Sequence, residues 1–222
     1  MHTYHRTCAL ISDNFHVGYG VNAQGFAYQD HGWVMNTGSL NVSNFSYFTF
    51  GIDFNLSMLP NYTEFTALYD QYKFDRFEVR LIPFSTNATL QSGATGSSNQ
   101  SLACILHTAY DFDDSGVPTA TAEGINQLEE RQTYKMVNFF AGDGKGFTYS
   151  IYPRVDVAIK DTSAVYTAYS NDPPKWIDCN FPNVLHYGLK GIFQCFSPSA
   201  SIANYIWFKA EVTAHFKMRD QR

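Results

Sequence analysis

The sequence predicts an all-β fold, a single-domain sandwich of two antiparallel sheets built from about eight strands. Three observations carry this. The closing segment alternates apolar and polar residues without a break from Tyr205 to Arg219. Earlier segments show the same period of two between clusters of Gly, Pro, Asn and Ser. Helical periodicity is confined to one short stretch.

Residues 1–44 are rich in Gly, Asn and Ser with apolar residues scattered through them, which reads as an arm or an irregular first strand. The sandwich domain then runs from 45 to 222. From Phe45 to Phe54 one set of alternate residues (Ser46, Phe48, Phe50, Ile52, Phe54) is the more apolar, so one face is expected to be buried. Pro60 and Asn61 end that run. Thr63 to Tyr72 predicts the one short helix, with Thr63 as its cap and Phe65, Leu68, Tyr69 and Tyr72 at helical spacing. Phe74 to Phe84 predicts a strand with Phe77, Val79 and Leu81 on one face and Arg76, Glu78 and Arg80 on the other.

Ser85 to Ser101 is a polar loop. Leu102 to Tyr110 predicts the next strand. Asp111 to Arg131 is polar, with room for one helical turn. Thr133 to Phe140 and Phe147 to Lys160 predict strands around a turn at Gly142 to Gly146. Trp176 to Ile177 and His186 to Phe196 predict two more. In the closing strand, Ile206, Phe208, Ala210, Val212, Ala214, Phe216 and Met218 form the core face. Tyr205, Trp207, Lys209, Glu211, Thr213, His215, Lys217 and Arg219 form the opposite face, which must meet solvent, a ligand or another subunit.

Composition narrows the function classes. Charged residues are 16% of the 222, below the usual quarter, and there are 19 Phe and 15 Tyr. Abundant aromatics with little charge suit strands and suit large contacts between copies of one chain. A net charge of −5 does not describe a strongly basic nucleic-acid binder. No apolar run reaches membrane-span length, and Met1 to Leu10 has no signal-peptide character. Cys8, Cys104, Cys179 and Cys195 are far apart and form no CxxC pair. They read as free thiols of a reducing compartment, with disulfides as the alternative.

No constellation predicts catalysis, a metal or a cofactor. Asp111, Asp113 and Asp114 open like a calcium loop, but the twelfth position is Ala122 and Glu123 misses it by one, so a solvated turn is the better reading. Calcium at a subunit contact is the alternative. Gly142-Asp143-Gly144-Lys145-Gly146 lacks the spacing and hydroxyl of a phosphate loop. The seven histidines show no paired ligand spacing, and no GxSxG elbow occurs. Glu129-Glu130 reads as a solvated face. Six N-x-S/T acceptors, at Asn41, Asn44, Asn55, Asn61, Asn87 and Asn99, are what chance yields in a chain this dense in Asn, Ser and Thr. Tyr205 and Trp207 interleaved with Lys209, Lys217 and Arg219 suit base stacking with phosphate neutralisation, or else an inter-subunit contact.

Jelly rolls, lectin-like sandwiches and up-and-down barrels all satisfy this pattern. Three blocks in order favour the first. Tyr69-Asp70-Gln71-Tyr72-Lys73-Phe74-Asp75-Arg76-Phe77-Glu78-Val79-Arg80-Leu81-Ile82-Pro83 is a Tyr-rich lead into a charged and apolar strand ending in Pro. Pro174-Lys175-Trp176-Ile177-Asp178 is followed by Val184-Leu185-His186-Tyr187-Gly188-Leu189-Lys190. The third is Tyr205 to Arg219. Together they resemble the capsid proteins of circoviruses and related small circular single-stranded DNA viruses, loosely over Phe45 to Arg219.

The resemblance implies an eight-stranded viral jelly roll, sixty copies of which close an icosahedral shell around circular single-stranded DNA. It implies a virion protein, assembled in the host nucleus or cytoplasm, that meets a host receptor and does not insert into membranes. It also implies an arginine-rich N-terminal arm, yet Arg6 is the one Arg or Lys among residues 1–44. The expected genome contacts are therefore Arg6, Lys209, Lys217 and Arg219. Two rivals stand beside this reading. A carbohydrate-binding sandwich would use exposed Tyr and Trp, and a cupin-type enzyme would need a histidine cluster that the dispersed histidines do not predict.

Overall fold

The computed structural model describes residues 4–19, 34–42, 45–59, 61–83, 104–112, 116–139, 146–160, 166–196 and 204–221, with side chains over parts of these ranges. The described strands are β1 (Tyr4–Tyr19), β2 (Val34–Val42), β3 (Phe45–Phe54), β4 (Tyr69–Pro83), β5 (Cys104–Tyr110), β6 (Lys135–Asn138), β7 (Phe147–Ile151), β8 (Arg154–Lys160), β9 (Tyr166–Asp172), β10 (Ile177–Asp178), β11 (His186–Phe196) and β12 (Asn204–Gln221). Two helices, α1 (Tyr62–Leu68) and α2 (Ala122–Glu129), accompany them.

The strands make two antiparallel sheets. The first has the order β1-β12-β4-β10, with β7 also paired to β4; the second has the order β2-β3-β11-β5-β6, with β8 joining β11 to β9. Phenylalanine rings fill the space between them. Phe54 of β3 stacks on Phe77 of β4 with ring centroids 3.9 Å apart, and Phe74 lies 4.7 Å from Phe77. Phe139 meets Phe193 edge to face at 4.9 Å. Each fully buried ring of this kind contributes roughly 1.5–3 kcal/mol.

The expected strand over Phe45 to Phe54 is β3, but both of its faces are covered. Tyr47, Thr49 and Asp53 are buried along with Phe48, Phe50, Ile52 and Phe54. At Tyr47 the cover on the second face is α2, whose Ile125 and Leu128 pack with Tyr47, Ala109 and Ile192 in a smaller core. Thr121 starts α2 by accepting a hydrogen bond from the Gly124 backbone N–H. The stretch expected to hold at most one helical turn thus supplies the lid over the second sheet.

Helix α1 is shorter than expected and begins differently. Asn61, in the left-handed region at φ 59°, takes the N-cap position without a side-chain bond, and Thr63 lies inside the helix. At Tyr69 the backbone turns extended, because Tyr69 to Tyr72 pair with β12 through Gln221, Arg219 and Met218. The predicted strand over Phe147 to Lys160 is two strands, divided at Tyr152-Pro153, where proline offers no N–H to a ladder. β11 has the predicted bounds. The Ser85 to Ser101 loop and most of the Gly142 to Gly146 turn lie outside the described residues.

Candidate nucleic-acid and assembly face

The outward face of the first sheet is built by β12 and β4. Along β12, Ala210, Val212, Ala214, Phe216 and Met218 are buried, while Glu211, Thr213, His215, Lys217 and Arg219 are partly exposed. That is the expected alternation. Along β4 the alternation changes step. Tyr72 and Phe74 are buried, then Phe77, Val79 and Leu81. Register explains it: Phe216 pairs with Phe74 but His215 pairs with Arg76, so Asp75 is the extra residue of a β-bulge. The bulge lets both halves of β4 turn aromatic side chains inward.

The same register lays two charged rows side by side. Glu211 faces Arg80, Thr213 faces Glu78, His215 faces Arg76, Lys217 faces Lys73 and Arg219 faces Gln71. Lys217 Nζ lies 2.7 Å from Asp75, the bulged residue. Arg80 lies 3.5 Å from Glu211, and Arg76 lies 2.8 Å from Glu78. Arg76 also approaches His215 Nε2 at 3.2 Å; a guanidinium only donates, so this ring nitrogen accepts. Arg219 donates to the Gln71 side-chain oxygen from Nε at 2.7 Å and again from Nη2. Its guanidinium sits 4.3 Å from the centre of the Trp176 ring, and its Nε lies 3.4 Å from Asp220.

Of the predicted site residues, Lys217 and Arg219 are therefore held by partners rather than standing free. Lys209 is opposite Ile82 on β4 and Asn14 on β1; Arg6 is opposite Phe216, whereas His5 is opposite Lys217. Tyr205 and Trp207 pair with Gly18 and His16 of β1. The side chains of Arg6, Tyr205, Trp207 and Lys209 lie outside the described residues. Asp75, Gln71 and Trp176 were missed by sequence reading. The available signal was the charged row Arg76, Glu78, Arg80, whose alternation matches that of β12. A face of paired charges has a weak net field; it can bind a surface of matching pairs, or phosphates that compete with Asp75 and Glu78.

A second charged group lies on the other sheet. Asp111 is buried, with Lys190 Nζ at 2.9 Å and Arg131 at 2.8 Å from its Oδ2. These residues line a cavity of about 130 Å³ with Thr119, Gly124 and Gln127. Asp111 is thus not the solvated turn residue that its sequence context predicts: it ties β11 to the segment after α2. Asp113 and Asp114 lie outside the described residues. Nearby, His107 is buried between Tyr134 Oη at 2.8 Å and Gln194 Oε1 at 3.2 Å, and burial lowers its pKa. Glu129 and Glu130 are exposed, and Glu129 accepts a hydrogen bond from Tyr134. Among the described residues no group of His, Cys, Asp and Glu is placed to hold a metal, and no helix is long and apolar enough to cross a membrane.

Large apolar side chains are exposed at Leu68, Met136, Tyr152 and Phe181. Leu68 and Phe181 flank one junction, where Cys179 N–H donates to Asp70 O and Tyr72 Oη donates to Phe181 O.

The family model described as circovirus capsid protein matches residues 29–222. No curated protein matches the chain. Among solved structures, the crystal structure of the 60-mer BFDV capsid protein is similar at TM-score 0.54 and 16% identity, covering 99% of this chain and 94% of that one. The decameric BFDV capsid protein follows at TM-score 0.48 and 16% identity, covering 99% and 100%. The Macrobrachium rosenbergii nodavirus structure has TM-score 0.46 and 13% identity, covering 99% of this chain and 58% of that one. The two-sheet architecture is that of a viral jelly roll.

Proposed function

Since the chain belongs to the circovirus capsid protein family, a family of virion coat proteins, we propose that sixty copies of it close an icosahedral shell around a circular single-stranded DNA genome. The family match over residues 29–222 carries this reading. The 60-mer formed by the similar BFDV protein supports the copy number. Exposed Phe181 and Leu68 and the paired charges of β4 and β12 are surfaces suited to contact with neighbouring subunits. The role is structural and needs no cofactor.

Genome contact falls to Lys209, Lys217 and Arg219, with Tyr205 and Trp207 stacking on bases or on a neighbouring subunit; Arg6, opposite the buried Phe216, stands at a register position of the other face. Lys217 and Arg219 reach solvent from the outward side of β12, which supports this assignment. Phosphate must displace or share Asp75 at Lys217, so the contact is weak and falls steeply with salt. Assembly takes place in the host nucleus or cytoplasm, and the exterior loops meet the host receptor.

Negative-stain electron microscopy of the purified protein, with the ratio of absorbance at the nucleic-acid and protein maxima, tests this. Uniform round particles are expected. A monodisperse monomer at every salt and pH tried would sink self-assembly. If particles with Lys209, Lys217 and Arg219 all reversed to Glu hold as much nucleic acid as the parent, the genome-contact assignment is wrong while the shell reading stands.

A further inference from the structure

Two of the cysteines occupy one position of a ladder. Cys104 of β5 and Cys195 of β11 are directly opposite each other, although 91 residues separate them in sequence. The Cys104 carbonyl accepts the Phe139 N–H, on the side of β5 away from β11. The N–H and C=O of one strand residue point the same way, so Cys104 and Cys195 form a non-hydrogen-bonded pair. In such pairs the Cα atoms approach to about 4.5 Å and the side chains are closest. That spacing falls within the range that disulfides span, about 4.4–6.8 Å. The Sγ atoms are 2.7 Å apart, and both residues are completely buried. Cys179 lies elsewhere, on the backbone contact with Asp70.

We propose that Cys104 and Cys195 are a latent intrachain disulfide, open in a reducing cell and closed when the protein meets a small-molecule disulfide oxidant such as oxidised glutathione. One thiolate attacks the oxidant to give a mixed disulfide and release one glutathione thiol. The second cysteine then displaces the other glutathione. Two S–H bonds are lost, one S–S bond forms, and the two electrons and two protons leave on the two glutathione molecules. Burial sets the kinetics. It pushes the Cys195 thiol up, so thiolate is scarce while the ladder is closed. Exchange therefore needs the β5–β11 ladder to open, and whichever state is present when it closes is retained. The bond would cross-link the second sheet through a loop of 91 residues.

The test uses the full chain. Reduced protein is incubated with oxidised glutathione at low denaturant, returned to buffer, alkylated, digested and mapped by mass spectrometry without reduction. A linked peptide pair carrying Cys104 and Cys195, two hydrogens lighter than the two thiol peptides, is expected. The melting temperature should rise on the order of 10 °C and fall back with dithiothreitol, as expected for a loop this long. Cys195→Ala should remove both the linkage and the rise. Recovery of both residues as alkylated thiols or glutathione adducts, or linkage of either to Cys8 or Cys179, would overturn the proposal. The parent map decides the matter even if Cys195→Ala fails to fold.

Discussion

Replacing Asp111 with Asn removes one negative charge from a buried site and keeps its shape. The Asp111 side chain is 3% exposed and that of Lys190 is 8% exposed, with Nζ 2.9 Å from Oδ2. The variant leaves the ammonium in a low-dielectric position without that carboxylate. Breaking a buried pair from one side costs about 3–5 kcal/mol. Asn still offers one acceptor to Lys190, which places the expected loss near the lower end, about 3 kcal/mol. Arg131 adds little, because its side chain is 40% exposed and solvent screens that pair. For a domain of this length about 3 kcal/mol lowers the melting temperature by roughly 6–12 °C. Thermal unfolding followed by circular dichroism, at one fixed protein concentration, reads this directly. Lys190→Met in the Asp111→Asn background should recover at least about 1 kcal/mol relative to the sum of the single effects. An Asp111→Asn protein melting within a degree or so of the parent, or single effects that simply add, would refute the reasoning.

Acid should weaken the fold through His186. It is 1% exposed, and burial holds its pKa down from 6.5 to about 4. The unfolded chain takes up this proton near pH 6.5 and the folded chain only near 4, so the stabilisation is complete above pH 6.5 and is lost as pH falls towards 4. The whole span is worth roughly 3 kcal/mol, and melting curves of the parent and His186→Gln at pH 7 and 5 should diverge; equal losses would remove His186 as the cause. Gly191→Ala should cost several kcal/mol, because its Cβ would come within 2.4 Å of the Phe50 ring. Denaturant midpoints check this, and Phe50→Leu in the same chain should restore part of the loss. Phe181→Asp should abolish or greatly reduce particles in electron micrographs while leaving the melting temperature of the subunit nearly unchanged, since the ring is 63% exposed; normal particles would remove Phe181 from the subunit contact.

The closing strand was legible from Ala210 to Arg219, where the side chains are described, because a strict period of two survives when one face is buried and the other is not. β11 was legible for a related reason: His186 and Phe196 bound an apolar run between turn residues. The start of β4 was not. Tyr69 and Tyr72 share helical spacing with Phe65, and only the long-range pairing with β12 makes them extended. The bulge at Asp75 is equally hidden, since nothing local distinguishes an extra residue from a change of face. Burial of Tyr47 depends on α2 arriving from about 75 residues away, so an alternating pattern in β3 reads as half-exposed when it is not. On the candidate site, the cations at 217 and 219 were visible in sequence, but the side chains that hold them come from β4 and from Trp176, and register alone brings these together.

The place of β12 at the centre of the first sheet also sets a clock. β4 is flanked by β12 along most of its length, yet Asn204 follows Pro83 by 121 residues. At synthesis rates of about 5–20 residues per second, roughly 6–24 s pass between the appearance of β4 and that of its main partner. β7 can occupy one edge of β4 in the interval; the other edge waits with its amides unpaired. β1, which also pairs with β12, waits longer. The nascent chain is therefore exposed to strand-swapping with neighbours on the same messenger until its last strand emerges, and a holding chaperone would be most effective in that window.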